Sequence, residues 1–124
     1  MSYLIRKTDT FLRNWKKNPD RYPLIIKGAR QVGKTETIRK FAKENYKNLV
    51  EINFITEPAY KTIIDEGFSA DNILKLISRI DPSKHFDTGE TLLFFDEIQD
   101  FPEIATSLKF FKENGKYDVI SVSY

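Results

Sequence analysis

The chain has 124 residues, enough for one domain around a single hydrophobic core, and its 20 basic and 18 acidic side chains leave a net charge of +2. With no cysteine and one histidine, His85, it holds neither disulfides nor a thiolate or multi-histidine metal site, a composition that suits the cytoplasm. The near-balanced charge makes no electrostatic case for nucleic acid, and no apolar run is long enough to span a bilayer.

In chain order, residues 8–17 carry Phe11, Leu12 and Trp15 at helical spacing, with Thr8 or Asp9 as the cap and Asn18-Pro19-Asp20 as the stop. The basic group Arg13, Lys16, Lys17 and Arg21 reads as a solvated face rather than a DNA contact. Leu24-Ile25-Ile26 is the short apolar run of a buried parallel strand. A loop follows, then a helix over residues 34–45 with Ile38, Phe41 and Ala42 on one side. Residues 49–55 alternate in part and predict a second strand. Thr56-Glu57-Pro58 predicts a helix start, with Gly67 as its stop. Ser69 caps a further helix through Ile80, whose stripe is Ile73, Leu74, Ile77 and Ile80 and which Pro82 closes. After a polar loop over residues 84–90, residues 91–95 form a third strand. A helix over 102–114 shows Ile104, Leu108 and Phe111, with Gly115 as its stop. Residues 117–122 form a fourth strand. Phe94, Phe95, Phe110 and Phe111 read as core packing, and Glu57, Asp65 and Glu66 as solvated helix charges.

This alternation predicts an α/β three-layer fold with a mostly parallel sheet and helices on both faces. Ligands of such sheets sit at the carboxyl ends of the strands. Residues 1–22 form a leading segment and helix, and 23–124 the core.

The loop after the first strand reads Gly28-Ala29-Arg30-Gln31-Val32-Gly33-Lys34-Thr35, a phosphate-binding loop of the form GxxxxGK[ST]. Its glycines let several backbone N–H groups converge on one anion, and the following helix points its positive end at the same place. Lys34 is placed to reach the β- and γ-phosphates, and the Thr35 hydroxyl to hold Mg2+. The expected binding set is Gly28, Ala29, Arg30, Gln31, Val32, Gly33, Lys34, Thr35 and the adjoining Glu36. Arg30 reads equally as a sensor of phosphate or of a neighbouring subunit and as a surface residue at a variable position.

Leu92-Leu93-Phe94-Phe95-Asp96-Glu97 is an apolar strand ending in two acids. Asp96 is expected at the strand tip, holding the water shell of Mg2+, and Glu97 one residue on, polarising the water that attacks the γ-phosphate. Lys34 and Glu97 are thus the candidate catalytic residues, and Thr35 and Asp96 the metal ligands. Asp96-Glu97-Ile98-Gln99 is not the DxxG of GTPases, no NKxD follows, and no arginine-rich kinase lid is found. ATP is the expected nucleotide. Gln99 reads as a polar residue at a helix start, with a hydrogen bond near the attacking water as the other reading.

The loop together with Leu92-Leu93-Phe94-Phe95-Asp96-Glu97-Ile98-Gln99, Tyr3-Leu4-Ile5-Arg6 and Ser107-Leu108-Lys109-Phe110-Phe111 resembles the AAA-type ATPases of bacteria and archaea that carry a GxRQVGKT loop. These are commonly fused to a C-terminal domain of unknown function, which the resemblance implies as a partner in a parent protein. It further implies Mg-ATP binding, hydrolysis in the full-length protein and a P-loop NTPase-like sheet of order 5-1-4-3-2. In the resembling proteins a Gly-Ser pair follows the fourth strand. Here Ile120-Ser121-Val122-Ser123-Tyr124 stands there, with Ser121 and Ser123 open to a phosphate contact or to an ordinary strand-end role. The expectation is a core truncated after the fourth strand, its first strand an exposed edge prone to self-association. The alternative function is a non-hydrolysing nucleotide-binding or protein-interaction fragment.

Overall fold

Four runs of apolar residues become four parallel strands, and the connections between them decide their order. The computed structural model describes residues 3–28 and 33–124, with side chains from Lys7 onward. The strands are β1 (Leu24–Lys27), β2 (Asn48–Asn53), β3 (Thr91–Asp96) and β4 (Asp118–Ser123), arranged β1-β4-β3-β2 with every pairing parallel. Every residue of β3 is buried, as a central strand covered on both faces requires. Parallel register sets Phe94 beside Ile120, Phe95 beside Ser121, and Lys27 beside Ser123. The carboxyl ends of β1, β3 and β4 therefore open on one side of the sheet. The first strand lies at an edge, as expected.

Period-two alternation divides the core in two. Leu92 and Phe94 of β3, with Ile120 and Val122 of β4, pack against α1 (Tyr3–Lys17) and α2 (Lys34–Asn45) through Leu12, Ile38, Phe41 and Ala42. On the other face Leu93, Phe95 and Val119 meet α3 (Ala70–Ile80) and α4 (Leu108–Asn114) through Ile73, Ile77 and Phe111. Ser69 caps α3, its hydroxyl accepting from the Asn72 amide at 3.2 Å. Gly115 ends α4 in the left-handed region at φ 69°, which a side chain would strain.

Several boundaries differ from the sequence expectation. The first helix begins at Tyr3, so Thr8 and Asp9 lie inside it, and Asp9 pairs with Arg13 one turn on at 3.2 Å instead of capping. No α-helix starts at Pro58. Residues Pro58–Thr62 form a 3-10 helix, and bonds from the Ile63, Asp65 and Gly67 amides to residues three back continue its pattern. The cause is visible in the burial: Tyr60 and Ile63 insert into the core three residues apart, matching three residues per turn. Similarly, the helix expected from Pro102 starts as a 3-10 segment, Pro102–Ser107, with Ile104 and Ser107 buried, and becomes α4 only at Leu108. Ile80 and Phe110 lie outside the buried core, whereas the stripe Ile73, Leu74 and Ile77 is buried.

Arg21 is not on a solvated face. At the amino-terminal end of the sheet its guanidinium grips Asp118 of β4 with both carboxylate oxygens, at 3.0 and 2.9 Å, while the Tyr46 hydroxyl donates to the same carboxylate at 2.6 Å. Burial, reinforced by that bond, holds the Tyr46 phenol protonated well above the usual phenol range. Arg21 also donates to the Lys16 and Asn18 carbonyls at 3.1 Å each, so the network ties the α1–β1 connection to the central sheet. Removing the carboxylate leaves a half-buried guanidinium and phenol without their acceptor. Asp118→Ala will therefore cost about 2 kcal/mol of stability, less than for a fully buried pair because Arg21 retains some exposure. Urea unfolding will show a lower midpoint with unchanged slope.

Candidate functional site

β1 leaves the sheet at Gly28, whose φ of 145° lies outside the range ordinary side chains adopt, and its amide donates to the Ser123 carbonyl of β4 at 3.3 Å. The chain returns at Gly33, at φ 93°, whose carbonyl accepts from the Thr37 amide at 2.8 Å and the Thr37 hydroxyl at 2.7 Å. That start leaves the first amides of α2 without intrahelical partners, and the 12-residue helix presents its positive end there. Ala29, Arg30, Gln31 and Val32 lie outside the described residues.

Lys34 and Thr35 open α2. The Lys34 ammonium sits 5.1 Å from the centre of the Tyr124 ring and also close to Gly28. A Cβ on Gly28 would lie 4.0 Å from it. The Thr35 hydroxyl donates to Asp96 Oδ2 at 3.5 Å, joining the helix start to the tip of β3. Glu36 is exposed, and its carboxylate accepts from Arg39 at 2.5 Å, so what it offers an anion is its backbone amide in the first turn.

Asp96 and Glu97 are both only 5% exposed, unusual for adjacent carboxylates in so small a domain. Burial raises the Asp96 pKa; the Glu97 amide, donating to Oδ1 at 2.9 Å, opposes the rise, and the negative charges of Glu97 and Glu51 add to it. Glu97 adopts φ 57° and ψ 45°, and among the described residues it is the one non-glycine with positive φ. This turn sends the chain into the 3-10 segment Ile98–Asp100, where Gln99 Nε2 donates to Glu97 Oε1 at 3.2 Å. Gln99 Oε1 accepts from the Tyr124 amide at 3.1 Å. The sequence offers Gln99 as a helix-start residue or as a hydrogen bonder near the attacking water, and signals neither of these two partners by name. The only cue is its place two residues beyond the acid pair.

The structure thus gathers Gly28, Gly33, Lys34, Thr35, Asp96 and Glu97 at the carboxyl ends of β1, β3 and β4. Ser123 contributes its carbonyl to this end. Ser121 shares the α3–α4 face with Val119, and its buried hydroxyl has no hydrogen-bond partner among the described residues. The donor set beside Asp96 is hard oxygen, hydroxyl and carboxylate, which fits a small divalent cation that keeps most of its water. Among the described residues, no group of three or more His, Cys, Asp or Glu side chains is gathered to cage a metal.

A raised pKa has a sign for stability. The fold disfavours ionised Asp96, so the carboxylate costs stability above its folded pKa, and the cost disappears below the unfolded value near ~4. Asn at this position keeps an oxygen for the Glu97 amide without the charge. Asp96→Asn will therefore raise the thermal midpoint of the metal-free protein at neutral pH, and the gain will fade as pH falls toward about 4. Thermal unfolding of both proteins across that range reads it.

A family model described as an AAA domain matches residues 20–123. No curated protein matches the chain. Among solved structures, one titled "Structure of C. elegans PCH-2" is similar, with a TM-score of 0.59 and 13% identity, covering 99% of this chain and 37% of that one. At that identity the likeness is one of fold, and the chain spans little more than a third of that structure's length. No helix among the described residues is long and apolar enough to cross a membrane.

Proposed function

The chain belongs to the AAA domain family, and on that premise we propose that it binds Mg-ATP at the carboxyl ends of β1, β3 and β4, with hydrolysis to ADP and phosphate in the full-length protein. The observation that carries this reading is the Thr35 hydroxyl facing the buried Asp96 carboxylate across the start of α2. Loop amides from Gly28 to Glu36, including those of Ala29, Arg30, Gln31, Val32 and Gly33, receive the phosphates, and the Lys34 ammonium leaves the Tyr124 ring for the β- and γ-phosphate oxygens. Thr35 and Asp96 would hold Mg2+, which would supply neutralisation of the negative charge that grows on the phosphates. Glu97 accepts a proton from the attacking water as the new bond to the γ-phosphorus forms and the bond to the β–γ bridging oxygen breaks. Positioning and electrostatics supply most of the rate.

A second reading, a nucleotide-binding module that acts through protein contacts, draws support from the β1 edge. There Phe11 is 52% and Ile25 38% exposed, and both line an apolar groove of about 290 Å³ with Leu24 and Ile26. A second copy or a further domain of a parent protein are the partners this edge suits. Calorimetry with ATP, with and without Mg2+, tests the shared claim: saturable binding of one ATP per chain, weakened by chelating the metal, is expected, and no binding up to millimolar ATP would sink it. Phosphate release then separates turnover from binding alone, and sedimentation over a concentration series reads association at the edge.

A further inference from the structure

We propose that Gln99 is a positioning residue that ties the Glu97 carboxylate to the end of β4, and through β4 to the phosphate loop. The inference rests on the ATPase reading for its catalytic meaning. The tie itself is carried by geometry.

Gln99 joins Glu97, 2 residues before it, to Tyr124, 25 residues after it. Its Nε2 donates to Glu97 Oε1 at 3.2 Å, and its Oε1 accepts from the Tyr124 amide at 3.1 Å. This position calls for a donor on one side and an acceptor on the other. A primary amide offers both at one end, whereas a carboxylate or an ammonium offers one only. The two partners also fix which way the amide points, since a flip would set its oxygen against the carboxylate and its NH2 against an N–H. Reaching both depends on the left-handed turn at Glu97, which folds the chain back through Ile98–Asp100, closed by the Asp100 amide on the Glu97 carbonyl at 3.1 Å. A non-glycine residue in that conformation carries backbone strain, and strain of that kind concentrates at functional turns.

The end of β4 is held from the opposite side as well. The Ser123 carbonyl accepts from the Gly28 amide at 3.3 Å, and the next residue, Tyr124, carries the ring beside the Lys34 ammonium. A continuous path of contacts therefore runs from the first glycine of the phosphate loop through Ser123 and Tyr124 to Gln99 and the Glu97 carboxylate. Displacement of the loop by phosphates moves the β4 end, and Gln99 carries that movement to the oxygen of Glu97 it holds.

Two readouts on the whole 124-residue chain test this. In the first, amide NMR follows Tyr124 when Glu97→Ala removes the carboxylate. The Tyr124 amide is expected to shift when Gln99 is present and to stay in place when Gln99→Ala is already there. An equal shift in both backgrounds, or none in either, overturns the proposal. In the second, turnover is compared with MgATP affinity. Gln99→Ala is expected to lower kcat about tenfold or more with KM within about threefold, because it misplaces the base without touching the phosphates. Gln99→Glu is expected to lower kcat further, since a second carboxylate repels the first. Equal kcat in native and both variants overturns the proposal, as does an equal loss in kcat and affinity, which a merely structural role would give. A 124-residue chain that binds MgATP yet releases no phosphate moves the kinetic comparison to the full-length protein, while the amide readout still decides the tie.

Discussion

Lys34→Ala will lower the affinity for MgATP by about a hundredfold while leaving the fold intact. Lys34 opens α2, and its ammonium lies near the Tyr124 ring and near Gly28, outside both halves of the core. Its removal takes away no packing, so the thermal midpoint should move by no more than about 2 °C, the range of a surface change. Binding is different. An ammonium engaging two phosphate oxygens makes charge-assisted bonds of about 1.5–3 kcal/mol each, and a net loss near 3 kcal/mol is about a hundredfold in Kd. The cation–π contact at 5.1 Å offsets little, since it is lost when the ammonium turns to the phosphates. Arginine should not restore binding: its planar fork is bulkier and cannot act as a compact charge close against Gly28. Calorimetry on Lys34→Ala and Lys34→Arg reads both, and an alanine variant that binds as tightly as native would falsify the assignment of the loop.

The parts of this fold legible in the sequence are those governed by local rules. The strand and helix between Leu24 and Asn45 follow from an apolar run and a periodic stripe, and each of the two is found within a residue of its expected place. Ser69 as the cap of α3 and Gly115 as the end of α4 were equally readable, because capping depends on a few neighbouring residues. The 3-10 character of residues 58–67 and 102–107 was not. It depends on burial every third residue, which at Tyr60 and Ile63 looks like one turn of an α-helix until the partner surface is known. Arg21 was misread for a related reason. Its acceptor, Asp118, lies 97 residues away, and nothing local distinguishes a lysine-rich surface from one whose arginine reaches under the sheet. At the candidate site the acid pair was legible as an apolar strand with two carboxylates at its tip. The left-handed turn at Glu97 and the double contact of Gln99 were not, because both arise from how the chain after β3 must bend to meet β4.

That bend makes Glu97→Gln the more searching test of hydrolysis. Glutamine matches glutamate in shape, so it can occupy the same left-handed position and still accept from Gln99 Nε2 through its carbonyl oxygen. Asp96 is untouched, and its bonds from Thr35 and from the backbone amide of residue 97 remain. What is lost is the ability to take a proton from water. A positioned general base contributes about 10²–10⁴ in rate, so kcat should fall by that factor while the Kd for MgATP stays within a few-fold of native. Removing one of two adjacent buried carboxylates also lessens repulsion against the triphosphate, which pushes affinity up rather than down. The variant should therefore retain ATP intact: nucleotide recovered after a single-turnover incubation will be ATP in Glu97→Gln and ADP in the native protein. If the native chain also returns only ATP, the base is not at work in it, and nucleotide binding is then the activity these residues supply. If Glu97→Gln hydrolyses at the native rate, the proton goes elsewhere, and the geometry around Gln99 serves the fold of the β3–β4 turn instead.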